Sequence, residues 1–545
     1  MQGLMQDWPL RVTRILDHAA KYHADRPLIS RSVEGPITTS NWTEIHLRAR
    51  KLVQALGRLG VRRGDMVGAM AWNTTRHMEV WFGVPGAGAV LHSLNPRLSV
   101  EQLTYVITHA EDQWIFVDAD IVPVLERVAA DCACVKGYIV MTDRARMPET
   151  SLQNVHCYEE IVEAENGETT WVPGEETDAC GICFTSGTTG HPKGVVYSHR
   201  SNVLHAMVMV QPDMLSLSSN DVLMPVVPLF HANGWSTGFA TPLVGAALVL
   251  PGRQMDAPSL YEMLGHGVTV TAAVPTVWLP LLKHLKEHDL DLPVLNRVVI
   301  GGSSCPRAVI ETFQNDYGVQ VLHAWGMTET SPLGTICSFK PEVAALEPAD
   351  RLDSQEKVGH CPFTVDLEVR DDDDVAQPWD GQSQGRLLIR GPGVVRRYLK
   401  QPEDCVDGDQ WFDTGDAATM DENGYVRITD RFKDVIKSGG EWISSIDMEN
   451  AAVAHPEVFE AAAIGVPHPK WDERPVLMVV AQPGKSPDPE SIIDLLRPHF
   501  AKWQLPDEVI FVDEIPHTAT GKISKLSIRK ILDERGYQLP DQRPA

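Results

Sequence analysis

Between Asp178 and Gly326, short apolar runs alternate with segments whose hydrophobic residues recur at helical spacing, and this alternation constrains the fold more than any other feature. Ala246–Leu250, Val268–Val274 and Arg297–Ile300 read as strands buried on both faces. Ser201–Val210, Pro258–Gly265, Val277–His288 and Pro306–Tyr317 read as the helices between them. Parallel neighbours need a crossover connection, and a helix supplies one, so largely parallel α/β layers are predicted. The N-terminal stretch repeats the style, with a helix over Asn41–Leu59, a strand over Asp65–Ala71 and a helix over Thr75–Gly83. No fixed repeat period emerges.

A chain of 545 residues is too long for one hydrophobic core, so two or more domains are expected. From Gly359 to Ile428 strand-like pieces such as Thr364–Val369 and Gly385–Ile389 lie between turn residues, which predicts a small β-rich subdomain. The run Asp371–Asp374 reads as a solvated hairpin turn rather than a metal site. After Arg431 the pattern becomes a compact α+β unit. The expected division is a large domain over 1–430, with its β-rich part at about 355–430, and a small C-terminal domain over 431–545.

Composition excludes several functions. The formal net charge of −25 argues against broad contact with nucleic acid or an anionic membrane. Met1 to Trp8 lacks a basic stretch followed by an apolar one, so no signal peptide is expected. The longest largely apolar run, Gly267 to Leu282, is broken by Pro275 and Pro280, and reads as a buried strand and a helix rather than a membrane span. Nine dispersed cysteines suit free thiols in a reducing, cytoplasmic setting. Cys180-Gly-Ile-Cys183 has redox spacing, but it falls inside the apolar strand Ala179–Phe184 and reads as core.

The most informative stretch runs Phe184-Thr185-Ser186-Gly187-Thr188-Thr189-Gly190-His191-Pro192-Lys193-Gly194. Its glycines allow successive N–H groups to point into one concavity, a nest for phosphate oxygens. Hydroxyl donors at Ser186, Thr188 and Thr189 and the cation of Lys193 complete that chemistry. The Walker spacing is absent, which disfavours a P-loop kinase. These eleven residues resemble the signature of the adenylate-forming superfamily, which includes acyl-CoA synthetases, firefly luciferases and peptide-synthetase adenylation domains.

Further motifs follow in the superfamily's order. Trp325-Gly326-Met327-Thr328-Glu329 resembles its aromatic-Gly-x-Thr-Glu motif, with Trp where Tyr is usual; the ring would stack on adenine and Glu329, with Thr185, would hold Mg²⁺. Gly301-Gly302-Ser303-Ser304 ends a strand, where open α/β sheets put ligands, and resembles the segment lining the adenine and acyl pockets. In Trp411-Phe412-Asp413-Thr414-Gly415-Asp416, Asp416 would bind the ribose hydroxyls, with Arg431 as the second ribose contact and Ile428 beside the nucleotide. Lys433-Asp434-Val435-Ile436-Lys437-Ser438-Gly439-Gly440-Glu441-Trp442-Ile443 is similar to the motif opening a mobile C-terminal domain, with Lys433 as hinge and Lys437 to Trp442 near the CoA tunnel. Ile515-Pro516-His517-Thr518-Ala519-Thr520-Gly521-Lys522-Ile523 resembles the closing motif, with Lys522 as catalytic lysine.

The resemblance, from about residue 10 to 535, implies an ATP-dependent acid–CoA ligase. An acid oxygen attacks the α-phosphorus, pyrophosphate leaves, and the thiol of CoA then attacks the acyl adenylate. Pro228-Leu229-Phe230-His231-Ala232-Asn233-Gly234-Trp235 looks like the fatty acyl-CoA synthetase form of the motif before the acyl pocket, and Asn95-Pro96-Arg97-Leu98 resembles the same homodimer-forming branch. His231 would lie beside the substrate carboxylate. On a helix Trp235 would share its face, either capping a short pocket or gating a longer tunnel. With His231 and Ala232 after Phe230, the Asp of amino-acid-activating relatives is absent. Short- or medium-chain fatty or methylthio-alkanoic acids are expected, with similarity to bacterial ligases of methylmercaptopropionate; a long-chain acid is the alternative. A peptide-synthetase role would need a carrier, and no carrier-like segment is expected from the residues after Arg535. A luciferase-like oxidation shares the motifs, and a silent nucleotide-binding regulator is disfavoured because the charged motif residues are all present.

Overall fold

The computed structural model describes every residue except Gln2, 186–190, Gly440, 518–522 and 543–545, and leaves out the side chains of Asn233 and Glu441. The described chain forms two compact units, one of Met1–Thr185, His191–Asp366 and Arg390–Phe412, the other of Leu367–Ile389 and the chain from Asp413 onward.

Two sheets carry the first unit. One runs in the order Leu333–Ile336, Gln320–Gly326, Arg297–Gly301, Val270–Ala273, Val222–Pro225, Ala247–Leu250, Pro27–Arg31 and Ile37–Asn41, parallel throughout except for an antiparallel pair at each edge. Val270–Ala273 and Ala247–Leu250 are buried at every position, as expected of parallel strands covered on both faces. The other sheet runs Val155–Cys157, Gly137–Val140, Trp114–Val117, Met66–Met70, Val90–Ser93, Ala179–Phe184 and Gly194–Ser198, parallel except for its last hairpin.

Helices Trp42–Arg58 and Thr75–Gly86 pack closely because Gly83 has no side chain: a Cβ there would meet Leu52 at 2.7 Å. Asn41 caps the first of them by accepting from the Glu44 amide. Trp81 and Phe82 from the second reach Phe239 at ring distances of 5.2 and 5.7 Å, joining the two layers in one core. The apolar run from Gly267 splits into the strand Val270–Ala273 and the helix Pro275–Glu287, with Pro275 in its first turn. The expected helix over Pro306–Tyr317 is instead Arg307–Glu311 continued by a π turn, Thr312–Asp316, whose wider winding carries Phe313 edge-on to Trp278 in the core.

The second unit holds a four-stranded sheet, Asp366–Arg370, Gly385–Arg390, Phe412–Met420 and Val426–Arg431. Asp371 closes the acidic turn by accepting from the amides of Asp373 and Val375, so that run is hydrogen-bonded locally. A second sheet is built on the long antiparallel pair Val458–His468 and Asp472–Ala481. Helices Ser445–Val453 and Pro489–Leu496 cover one of its faces and Lys525–Glu534 the other. Among the described residues no helix is long and apolar enough to cross a membrane, and no group of His, Cys, Asp and Glu is arranged to hold a metal ion by itself. All nine cysteines are free. Cys180 accepts from the Asn202 amide in the core, and burial pushes its thiol up to about 12.

Candidate active site

In the first unit the strand Ala179–Phe184 delivers Thr185, and the chain returns at Lys193 into Gly194–Ser198. The two flanks are tied to each other: the Thr185 amide donates to the Lys193 carbonyl at 3.0 Å, and the Lys193 amide to the Thr185 hydroxyl at 3.1 Å. Ser186, Gly187, Thr188, Thr189 and Gly190 lie outside the described residues. The Lys193 ammonium sits 4.8 Å from the centroid of the Tyr398 ring. The Tyr398 hydroxyl in turn donates to the Glu329 carboxylate at 2.9 Å. Burial, then the nearby Glu329 charge, pushes the Tyr398 phenol far above its ordinary range, so it stays a donor. Glu329 and Thr328 are both buried, and the Thr328 carbonyl accepts from the Tyr197 hydroxyl at 2.7 Å.

Trp325 ends the strand Gln320–Gly326, where its ring lies against Gly334: a Cβ at that glycine would fall 2.3 Å from the indole. Gly326 faces the Pro332 carbonyl so closely that no side chain fits. Met327 is half-buried and begins the turn that presents Glu329. Gly301 ends the neighbouring strand and Gly302 follows at φ +84°, and the Trp235 ring packs on both. A Cβ on Gly301 would meet that ring at 3.2 Å. Ser303 is exposed and Ser304 half-buried immediately beyond.

His231 and Trp235 do not share an α-helical face. The segment Ala232–Ser236 is a 3₁₀ turn with positive φ at Ala232, Gly234, Trp235 and Ser236, so the four-residue spacing loses its helical meaning. Asn73 fixes the approach to this turn. It is fully buried, donates to the carbonyls of Pro225 and Val227 at 2.8 and 2.9 Å, and accepts from the Leu229 amide at 2.8 Å.

In the second unit Asp416 and Arg431 face each other across an antiparallel pair, with Ile428 half-buried further along the same strand. Lys433 is exposed in the turn that follows, whose backbone is closed by the Asp434 and Val435 amides donating to the Arg431 carbonyl. Lys437 pairs with Trp442 across a short hairpin, its ammonium 4.9 Å from the Phe432 ring and 5.7 Å from the Trp442 ring. Ser438 is buried and accepts from Arg474, and Gly439, at φ +64°, donates to the Trp471 carbonyl. Gly440, the Glu441 side chain and Lys522 lie outside the described residues. The described flanks of the 518–522 segment meet in a bridge between His517 and Ile523. Three residues after Lys522, the buried ammonium of Lys525 pairs with Glu449 at 2.8 Å and lies 4.0 Å from Asp430, beside Ser445.

Asn73, Tyr398 and Lys525 were not singled out by the sequence. Asn73 and Lys525 carry no local signature, since each acts on backbone or charge far away in the chain. Tyr398 lies in Arg396-Arg397-Tyr398-Leu399, a surface-like stretch whose partners are remote.

The AMP-binding enzyme model matches residues 16–399, and the AMP-binding enzyme C-terminal domain model matches 447–522. The chain is 43% identical to a 3-methylmercaptopropionyl-CoA ligase of Ruegeria lacuscaerulensis, covering 98% of this chain and 99% of that one. It is 41% identical to a medium-chain-fatty-acid–CoA ligase of Ectopseudomonas oleovorans (97% of each chain) and 43% identical to a long-chain-fatty-acid–CoA ligase of Thermus thermophilus (96% of each). In fold it resembles an anthranilate CoA ligase crystallised with anthranoyl-AMP, at a TM-score of 0.86, 23% identity and coverage of 98% and 100%. The chain belongs to the AMP-binding enzyme family. Within it, the protein is an enzyme of the acid–CoA ligase class.

Proposed function

We propose that the protein converts a short- or medium-chain fatty or methylthio-alkanoic acid, 3-methylmercaptopropionate among them, to its CoA thioester through an acyl adenylate, with ATP cleaved to AMP and diphosphate. The observation that supports the acid's size is Trp235, whose ring lies against the Gly301–Gly302 strand end; taken as the end wall of the acyl pocket, it limits the chain. The relatives at 41–43% identity include ligases named for methylmercaptopropionate and for medium-chain acids, and one named for long-chain acids, so the acid's length rests on Trp235 rather than on them.

A carboxylate becomes an acyl donor only when one oxygen is made into a good leaving group. The obstacle is in-line approach of two anions, so preorganised cations and N–H donors do most of the catalysis. Lys193 and the Ser186–Gly190 motif hold the triphosphate, Trp325 stacks on adenine, and Asp416 and Arg431 take the ribose. By its motif, Lys522 is the cation that would neutralise charge between carboxylate and α-phosphate, a task that suits a compact charge on a long stem. The donor set of Glu329 and the Thr185 hydroxyl is hard oxygen and fits Mg²⁺. Bound there, Mg²⁺ would neutralise phosphate charge. His231 flanks the acid, the Lys433 turn is the hinge, and Lys437 to Trp442 face CoA after the C-terminal domain (431–545) swings. The reading extends to a cytoplasmic homodimer; nine free thiols support a reducing compartment.

The test is an acid panel from three to sixteen carbons, assayed for both pyrophosphate and acyl-CoA. Highest kcat/KM on the short and medium acids supports the proposal. A maximum on long-chain acids overturns the substrate assignment, and ADP or phosphate as product overturns adenylation.

A further inference from the structure

The turn that presents Glu329 and the strand that receives Lys193 are far apart in sequence, and one strap, Gly393–Leu399, is bonded to both. Its Val395 amide donates to the Glu329 carbonyl at 2.7 Å, its Leu399 amide to the Gly194 carbonyl at 2.8 Å, and its Gly393 carbonyl accepts from the Ser331 hydroxyl at 2.6 Å. Packing is equally close: a Cβ on Gly194 would fall 3.1 Å from the Leu399 side chain. One side chain of the strap reaches both functional groups. Tyr398 places its hydroxyl on the Glu329 carboxylate and its ring face under the Lys193 ammonium.

We propose that Tyr398 is a positioning residue for the metal–nucleotide complex, holding the Glu329 carboxylate through its hydroxyl and the Lys193 cation through its ring. This rests on the reading of Glu329 as a metal ligand and Lys193 as a triphosphate contact. The two interactions differ in kind. A phenol donating to a carboxylate fixes the rotation of that carboxylate about its last bond, so the oxygens are oriented before a cation arrives. A ring beneath an ammonium restrains a long, flexible stem that would otherwise sample many rotamers. Both lower the reorganisation needed when the nucleotide binds, and neither requires Tyr398 to touch substrate.

The two roles separate by substitution. Tyr398→Phe keeps the ring and removes the hydroxyl, whereas Tyr398→Leu removes both. Binding of a non-cleavable α,β-methylene ATP analogue to the full-length protein is measured by calorimetry across a Mg²⁺ titration. Tyr398→Phe is expected to raise the half-saturating Mg²⁺ concentration about tenfold while leaving analogue affinity at saturating Mg²⁺ within about twofold of the parent. Tyr398→Leu should add a loss of about threefold or more in analogue affinity at saturating Mg²⁺. Glu329→Gln serves as the reference. If it blunts Mg²⁺ dependence while Tyr398→Phe titrates like the parent, the proposal is overturned and the metal reading stands. If Glu329→Gln leaves the Mg²⁺ titration unchanged, the metal reading falls and takes the proposal with it.

Discussion

The Arg431 guanidinium lies 2.9 Å from the Asp416 carboxylate, and the two differ sharply in exposure: 4% for the Asp416 side chain and 48% for Arg431. The strand pair puts them in register, Gly415 at φ +71° turns the chain just before Asp416, and the Phe432 amide donates back to the Gly415 carbonyl. A buried carboxylate whose partner is half in solvent is suited to exchange that partner for a diol. Asp416→Asn should therefore raise KM for ATP by about tenfold to a hundredfold, the range spanned by hydrogen bonds to a charged group, with a smaller change in kcat. Its melting temperature should fall little, because a half-exposed pair contributes about 1 kcal/mol at most. Pyrophosphate release against ATP concentration measures this, and an unaltered KM would remove Asp416 from the nucleotide site.

Asn73 makes a different prediction. Its three hydrogen bonds to the backbone at Pro225, Val227 and Leu229 set the path of the chain into His231. Asn73→Ala would leave two carbonyls and an amide unpaired in the core, at about 1–3 kcal/mol for each group. The expected outcome is a lower melting temperature together with a rise in KM for the acid that exceeds any rise in KM for ATP. Equal shifts in both constants would mean that the substitution loosens the unit as a whole rather than the His231 segment.

The parallel layers were legible because their strands are largely apolar and their helices keep a helical period; Ala179–Phe184, read from the sequence as a strand, is a strand over those same residues. The local devices were less legible. The spacing of His231 and Trp235 suggests one helical face, but positive φ at Ala232, Gly234, Trp235 and Ser236 bends that segment into a 3₁₀ turn. Nothing in residue type announces such a backbone, since only Gly234 is a residue that adopts it readily. The Lys525–Glu449–Asp430 cluster was equally hidden, because a buried lysine is recognised by its partners, and these lie far off in the chain. Motif order carried the candidate site where geometry could not: Glu329 reads as a surface acid beside an aromatic, yet it is buried under the Tyr398 hydroxyl.

Three buried histidines give the fold an acid limit. Burial lowers His205 to about 3 and His77 and His199 to about 4, from an ordinary value of 6.5. His205 is held neutral by its task, since its Nε2 accepts from the Leu333 amide at 3.0 Å. In the unfolded chain these groups take up protons below 6.5, and in the folded protein they do not until near 4 or 3. Their contribution to stability is thus complete above pH 6.5 and is lost as pH falls through 6.5 toward 4. Each should cost about 2 kcal/mol between pH 7.5 and 5. Urea midpoints across that range should drop, and His205→Gln should drop less steeply than the parent. Parallel slopes for the two proteins would show that His205 is not among the groups that set the limit.

If Trp235 is the end wall of the acyl pocket, as proposed, its ring sets how long an acid the enzyme takes. The indole lies against Gly301 and Gly302, two residues without side chains. Trp235→Ala removes the wall and leaves the glycine floor, opening a slot continuous with that strand end. Each methylene the slot admits is worth about 0.8 kcal/mol, roughly fourfold in kcat/KM, so the preferred acid should lengthen by several carbons. Activity on the shortest acids should fall at the same time, since they no longer fill the space. The acid panel run on parent and variant separates this from a gate. A wall that has been removed moves the maximum toward longer chains, whereas a lost gate or a damaged core lowers every acid by the same factor and leaves the maximum where it was.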